Sequence, residues 1–207
     1  MRIIDCIQAT PEWWEARRGL PTASAFDRIL TSTGKPSAQA DGYICELIAD
    51  TAMQLPQYFS GRGRPVTKAM TNGTDSEPEA RRYYEMLKDT QVRQVGFCLH
   101  DSGLFGCSPD ALVGDDGVLE LKVPELKTQA HYLMKPGSLL ADYRQQIHGH
   151  LIVTERKWCE VLSYSHGLDP LVIRVEPDAY TETLMDALMK FCDKLAEAKK
   201  KLLKGAV

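Results

Sequence analysis

"CSPDALVGDDGVLELKVP", residues 107–124, is the stretch on which the reading of this 207-residue chain turns. Asp110 ends one short segment, Gly114-Asp115-Asp116-Gly117 supplies a bend, and Glu120-Leu121-Lys122 alternates along the return. Two short apolar runs about such a turn predict a β-hairpin. Residues two apart on a strand face the same side, so Glu120 and Lys122 project together while Leu121 points into a core. Asp110 is then placed to lie beside Glu120. Two carboxylates about 4 Å apart repel by roughly 4 kcal/mol at an effective dielectric near 20. A hard divalent cation, magnesium or manganese, would remove that repulsion. The same residues also suit a solvated hairpin with a Glu–Lys pair and a turn acid, and the stretch alone does not choose. A calcium loop is a weaker reading, because it needs acids where this chain has Leu112 and Gly114.

Outward from the hairpin, helices lead, a sheet sits centrally and helices cover it, an α/β layer architecture. Thr10-Pro11-Glu12 starts a helix that should stop at Gly19. Residues 22–30, with Ala25, Phe26, Ile29 and Leu30 at helical spacing, predict a second helix. A loop covers 31–42, and the apolar stretch 43–54 predicts a core helix. Residues 55–73 are rich in Gly and Pro, with basic residues and no acid, and read as a mobile loop. Residues 74–89 predict a helix with a cap at its start, and 91–100 is β-type. Helices over 125–135 and 140–154, strands over 157–166 and 170–177, and a long helix from Tyr180 complete the chain. No repeat or linker divides it, so one domain over 1–207 is expected.

Composition narrows the function classes. Hydrophobic residues at 43% and charged residues at 26% are ordinary for a globular protein and argue against disorder. A net charge of −3 excludes a generic polyanion binder, so any nucleic-acid contact must come from a local patch. Cys6, Cys45, Cys98, Cys107, Cys159 and Cys192 are scattered without zinc or iron–sulfur spacing, and read as reduced thiols of a cytoplasmic protein. The N-terminus turns charged and aromatic too soon for a signal peptide, and no apolar run is long enough to cross a bilayer.

Pro109-Asp110 followed by Glu120-Leu121-Lys122 matches the PD-(D/E)xK nuclease signature. The fuller stretch closely resembles the lambda-exonuclease or YqaJ-type group of phage alkaline exonucleases. Three further blocks fall in the right order: "ARRGLPTASAFDRIL" (16–30), "NGTDSEPEAR" (72–81) and "DYRQQIHGHLIVT" (142–154). The resemblance implies a restriction-endonuclease-like core, with a central mixed β-sheet flanked by helices. It implies a phage- or prophage-encoded processive 5′→3′ exonuclease that degrades one strand of linear double-stranded DNA to mononucleotides. It further implies two Mg2+ ions per site with Mn2+ as a substitute, a homotrimeric ring, and a single-strand annealing protein as partner.

Carried residue by residue, the resemblance gives Asp110, Glu120 and the backbone carbonyl of Leu121 to the metals. Lys122 would orient or deprotonate the attacking water, or hold the phosphate; Glu77 and Gln146 complete the catalytic set. Arg17 and Ser24 would grip a 5′ phosphate, with Lys35 standing in for a third cationic residue. Arg62, Arg64, Lys68 and Met70 would lie against the DNA. Each has a plainer reading: Glu77 as a helix-start acid pairing with Arg81, Arg17 as a dipole-compensating charge, Met70 as core. His148 and His150, two apart on a helix, cannot share a face and read as surface or supporting histidines. Trp13, Trp14, Tyr83 and Tyr84 read as packed, and the lysine-rich C-terminus as a solvated tail. The rival functions are an endonuclease or junction resolvase with the same metal site, and a catalytically silent DNA-end-binding module. An intact Asp110, Glu120 and Lys122 set argues against the silent module.

Overall fold

The computed structural model describes residues 1–53 and 68–203. Strand β1 (Arg2–Ile4) is followed by helix α1 (Pro11–Arg17), a 3-10 helix (Ala23–Arg28), helix α2 (Ala40–Ala52) and helix α3 (Lys68–Lys88). Five strands come next: β2 (Val92–Arg93), β3 (Phe97–Leu99), β4 (Gly106–Cys107), β5 (Ala111–Val113) and β6 (Gly117–Lys122). Helices α4 (Leu126–Met134) and α5 (Pro136–Thr154), strands β7 (Trp158–Ser163) and β8 (Leu171–Val175), and helix α6 (Ala179–Leu202) complete the order.

The expected hairpin is present, with Ala111 opposite Leu119 and Val113 opposite Gly117. Arg156 staples its turn, donating from Nη1 to the carbonyls of Gly114 and Gly117 at 2.8 Å each. The hairpin lies inside a five-stranded sheet of order β2-β5-β6-β7-β8. The β6–β7 pair is parallel and the others are antiparallel, so the sheet is mixed. Strands β1, β3 and β4 form a separate three-stranded sheet.

The two-residue period of β6 sorts its side chains between two cores. Val118 packs with Ile147 and Leu151 of α5 and with Leu184 and Leu188 of α6. Leu119 and Leu121 pack on the opposite face with Ala80 and Tyr84 of α3 and Leu162 of β7. Glu120 and Lys122 therefore share the α5 side with Val118. Helix α5 also lies close against the 3-10 helix at Gly149, where a Cβ would come within 2.7 Å of the Phe26 ring and 2.9 Å of Ala23 Cβ.

Several elements differ from the sequence expectations. In place of the α-helix expected over 22–30, Ala23–Arg28 form a 3-10 helix, with Thr22 bridged to Gly106 just before it. The stretch 91–100 breaks into β2 and β3, which belong to different sheets. The break falls at Gly96, where a Cβ would meet the Cys6 carbonyl oxygen at 2.1 Å. Helix α2 begins at Ala40 and fully buries only Tyr43 and Leu47, so it covers the core rather than crossing it. Helix α3 runs unbroken from Lys68 through the expected cap and through Pro78. An established helix gains one hydrogen bond per added residue, which carries the turn-forming Thr71-Asn72-Gly73 along with it. Of the loop expected over 55–73, residues 68–73 belong to α3 instead, and 55–67 lie outside the described residues.

Candidate active site

Where β5 ends, the chain delivers Asp110 beside β6. The Leu121 backbone N–H donates to Asp110 Oδ2 at 2.6 Å. The N–H and C=O of one strand residue point to the same edge, so the Leu121 carbonyl also faces Asp110, beyond the last β5–β6 pair. Glu120 is 3% exposed. Its Oε1 accepts from Lys122 Nζ at 2.6 Å and from Gln146 Nε2 at 2.6 Å. Lys122 Nζ also reaches Gln146 Oε1 at 3.2 Å and stands 4.2 Å from the centre of the Tyr143 ring. Asp110, Glu120, Leu121, Lys122 and Gln146 thus converge as the sequence predicted. Glu77 on α3 lies within electrostatic range of Glu120 and Lys122.

Electrostatics separates the two central acids. Burial, then repulsion from Glu120, pushes the Asp110 carboxyl well above its ordinary range. Burial also acts to raise Glu120, but Lys122 and His150 outweigh it and hold that group below its ordinary value. Burial acts to lower Lys122, and Glu120 and Asp110 overcome it and raise the ammonium. Burial raises Glu77 as well, with Arg81 opposing and Glu120 adding.

Of the two readings of the histidines, surface or supporting, burial favours the second. His148 is 3% and His150 1% exposed. His148 Nδ1 meets Thr181 Oγ1 at 2.8 Å and lies 3.7 Å from Asp178 Oδ1, at the start of α6. His150 Nε2 lies 2.7 Å from Glu120 Oε2. The pattern that could have found it is the four-residue step from Gln146, which puts both on one face of α5.

A second polar cluster is built around Arg17 at the end of α1. Its guanidinium lies 4.0 Å from the centre of the Trp13 ring. It donates to Ser108 Oγ at 3.2 Å, Thr22 Oγ1 at 3.1 Å and Ser24 Oγ at 3.5 Å. Trp13 Nε1 donates to the same Ser108 Oγ at 2.8 Å. The structure thus brings Arg17 and Ser24 together as predicted, and adds Ser108, Thr22 and Trp13. A cavity of about 200 Å3 opens between the 3-10 helix and α5, with Ser24 and Asp27 on one side and Tyr143 and Gln146 on the other.

Lys35 is not part of this cluster. It is exposed in the turn after the 3-10 helix, where its backbone N–H donates to Thr31 Oγ1 at 3.1 Å. That turn is held towards the start of α6, Tyr180 Oη donating to the Thr31 carbonyl at 3.0 Å. Lys68 and Met70 belong to the first turn of α3. Arg62 and Arg64 lie outside the described residues.

Among the described residues no three His, Cys, Asp or Glu side chains converge as a ready-made metal cage. A hard cation nevertheless fits the donors present. Asp110, Glu120 and the Leu121 carbonyl offer oxygen alone, and the burial and Glu120 repulsion that raise Asp110 are what a bound cation would offset. Among the described residues no helix is long and apolar enough to cross a membrane.

Comparison with known proteins agrees with this geometry. The family model of the YqaJ-like viral recombinase domain matches residues 12–157. An alkaline exonuclease from Laribacter hongkongensis superposes with a TM-score of 0.80 at 30% identity, over 95% of this chain and 98% of that one. The same enzyme in complex with dAMP gives 0.79, with the same identity and coverage. A phage related exonuclease from Haemophilus somnus shares the fold at a TM-score of 0.62 and 11% identity, over 86% of this chain and 96% of that one. No curated protein matches. The mixed sheet between α3 and α5 is the restriction-endonuclease-like core of these alkaline exonucleases. With 146 consecutive residues under one family model and its acid–acid–lysine hairpin in place, the chain belongs to the YqaJ-like viral recombinase family, the lambda-exonuclease group.

Proposed function

We propose that the chain is a Mg2+-dependent exonuclease that removes mononucleotides from the 5′ end of one strand of linear double-stranded DNA. The observation that carries this reading is the link between its two polar clusters. Ser108 belongs to the Arg17 cluster and Asp110 to the acid cluster, and only Pro109 separates them. Two residues of extended chain span roughly 7 Å. A single nucleotide can then present its 5′ phosphate to Arg17, Ser24 and Ser108 and its 3′ linkage to Asp110, Glu120 and Lys122. The cleft between Ser24 and Gln146 offers that nucleotide a place between the two.

Two Mg2+ ions, or Mn2+ in their place, would be held by Asp110, Glu120 and the Leu121 carbonyl, with Glu77 as an additional acid nearby. Such ions, when bound, supply Lewis-acid polarisation of the phosphate and counter-charge for in-line displacement. Lys122, engaged as a cation by Glu120, is placed to hold a phosphate oxygen. Gln146 bridges Glu120 and Lys122 and keeps both aimed at the same volume. Water adds to phosphorus, the bond to the 3′ oxygen breaks, and that oxygen leaves as a hydroxyl after taking a proton. The remaining strand carries a new 5′ phosphate, the group the Arg17 cluster recognises, so each turnover regenerates its own substrate end. Family membership supports extending the reading to a single working domain, a homotrimeric ring, processive action in phage-type recombination, and an annealing protein that takes the exposed 3′ strand.

The test compares linear with covalently closed circular duplex in Mg2+. Acid-soluble mononucleotides should appear from the linear form alone, and Glu120→Ala should abolish them without changing the far-UV circular dichroism. Cleavage of the closed circle would replace this reading with an endonuclease or resolvase. Full activity in Glu120→Ala would remove the acid cluster from the chemistry.

A further inference from the structure

His150 is a buried titratable group that the proposed chemistry does not use, and it touches the site. It is 1% exposed, and its Nε2 lies 2.7 Å from Glu120 Oε2. A carboxylate oxygen only accepts, so Nε2 carries the hydrogen. The other ring nitrogen, Nδ1, is buried and has no hydrogen-bond partner among the described residues. The ring therefore directs its hydrogen bond at the acid, and a side-chain-to-backbone bond steadies its helix turn, Thr154 Oγ1 donating to the His150 carbonyl at 2.7 Å.

The accounting of Glu120 gives this contact its meaning. An ionised carboxylate offers about four lone-pair positions, two on each oxygen. Lys122 and Gln146 occupy both positions on Oε1. His150 takes one of the two on Oε2 and leaves one. The terminal torsion of a glutamate is broad and weakly restrained by its own bonds, so neighbours must hold the carboxylate plane. Gln146 and His150, four residues apart on α5, grip it by opposite oxygens.

We propose that His150 is a positioning residue that orients Glu120 so that a single Oε2 lone pair is presented to a divalent cation. The inference rests on the metal-dependent reading above and adds to it which residue sets cation affinity from outside the ligand set. Groups that hydrogen-bond a ligating carboxylate typically contribute 10–100-fold to metal affinity.

The test is Mn2+ binding by the full-length chain, followed by electron paramagnetic resonance of free Mn2+, for the wild type, His150→Leu, His150→Asn and His150→Gln. Thermal unfolding in EDTA reports on the fold of each. The glutamine amide reaches the region of Nε2, and the asparagine amide stops near Nδ1. Affinity should fall at least tenfold in His150→Leu and His150→Asn and stay within about threefold of wild type in His150→Gln. Should His150→Leu not fold, the two amide variants decide by themselves. Equal Mn2+ affinity in all variants, with only the unfolding temperature changed, would reduce His150 to a structural residue. Equal weakening in His150→Gln and His150→Asn would overturn the directed hydrogen bond. A wild type that binds no Mn2+ would overturn the metal-dependent reading itself and this inference with it, which separates the two failures.

Discussion

Arg17 offers the sharpest functional test, because its proposed target is a single removable group on the substrate. The guanidinium is held on the Trp13 ring at 4.0 Å and tied to Ser108 and Thr22 at 3.2 and 3.1 Å, so it is pre-oriented before DNA arrives. A hydrogen bond to a charged group contributes about 1.5–3 kcal/mol, and an arginine fork can make two to one phosphate. Solvent screening of the partly exposed site puts each at or somewhat below the lower end, giving roughly 2–3 kcal/mol for the pair. Arg17→Ala should therefore lower kcat/KM on 5′-phosphorylated linear duplex about 30- to 150-fold. On duplex ending in a 5′ hydroxyl, where the fork has no anion to hold, the loss should stay within about threefold. Arg17→Lys keeps the charge without the planar fork and should recover roughly half of the lost free energy. The assay is initial mononucleotide release from the two otherwise identical substrates, with thermal unfolding as the check on the fold. Equal losses on both ends would refute the phosphate role and leave Arg17 as a structural link among α1, the 3-10 helix and β4.

Two stability measurements follow from the packing. Glu160 is 2% exposed and accepts from Tyr84 Oη at 2.7 Å, Lys88 Nζ at 3.0 Å and Arg174 Nε at 3.0 Å, joining α3 to β7 and β8. Glu160→Gln should cost about 3 kcal/mol, the low end for a broken buried pair because Lys88 and Arg174 are partly exposed; a urea midpoint unchanged from wild type would refute the network. Burial acts to raise the Glu160 carboxyl, but Tyr84, Lys88 and Arg174 hold it below its ordinary value of 4.5. A depressed carboxyl stabilises the fold above its unfolded pKa, so the gap between wild type and variant should be full at neutral pH and shrink as pH falls below about 4.5. Gly149→Ala would drive a methyl into Phe26 and Ala23, costing about 1–3 kcal/mol against a helix-propensity gain of up to about 1. Its unfolding temperature should fall by several degrees, and a value equal to wild type would mean that the 3-10 helix yields without strain.

The chemistry of the hairpin was legible because it is local. A two-residue period, a four-residue turn and an acid at the strand end determine that Glu120 and Lys122 share a face with Asp110 alongside, whatever packs above them. The four family blocks likewise lie along the chain as short contiguous runs. Helix α1 and its stop before Gly19, which takes a φ of +66°, were readable for the same reason. Segment 91–100 read as β-type, and its division between two sheets at Gly96 was not legible, because Gly96 packs against Cys6, ninety residues away. Helix α2 carries an apolar composition that suggested core, yet its neighbours cover only one side of it. Lys35 stands where a third phosphate ligand was expected, and the turn that carries it is held towards α6 instead.

By itself, then, the sequence determined the acid–acid–lysine hairpin, the α/β layering and the family, since periodicity and contiguous motifs express near-neighbour sterics and alternation. Only the tertiary structure decided that Ser108 ties Trp13 and Arg17 to the strand side, that His150 grips Glu120, and that Ser24 and Gln146 line one cleft. Those contacts join residues 30 to 95 positions apart. Their distances come from how α5 and the 3-10 helix seat against the sheet, and that seating is a property of the packed core.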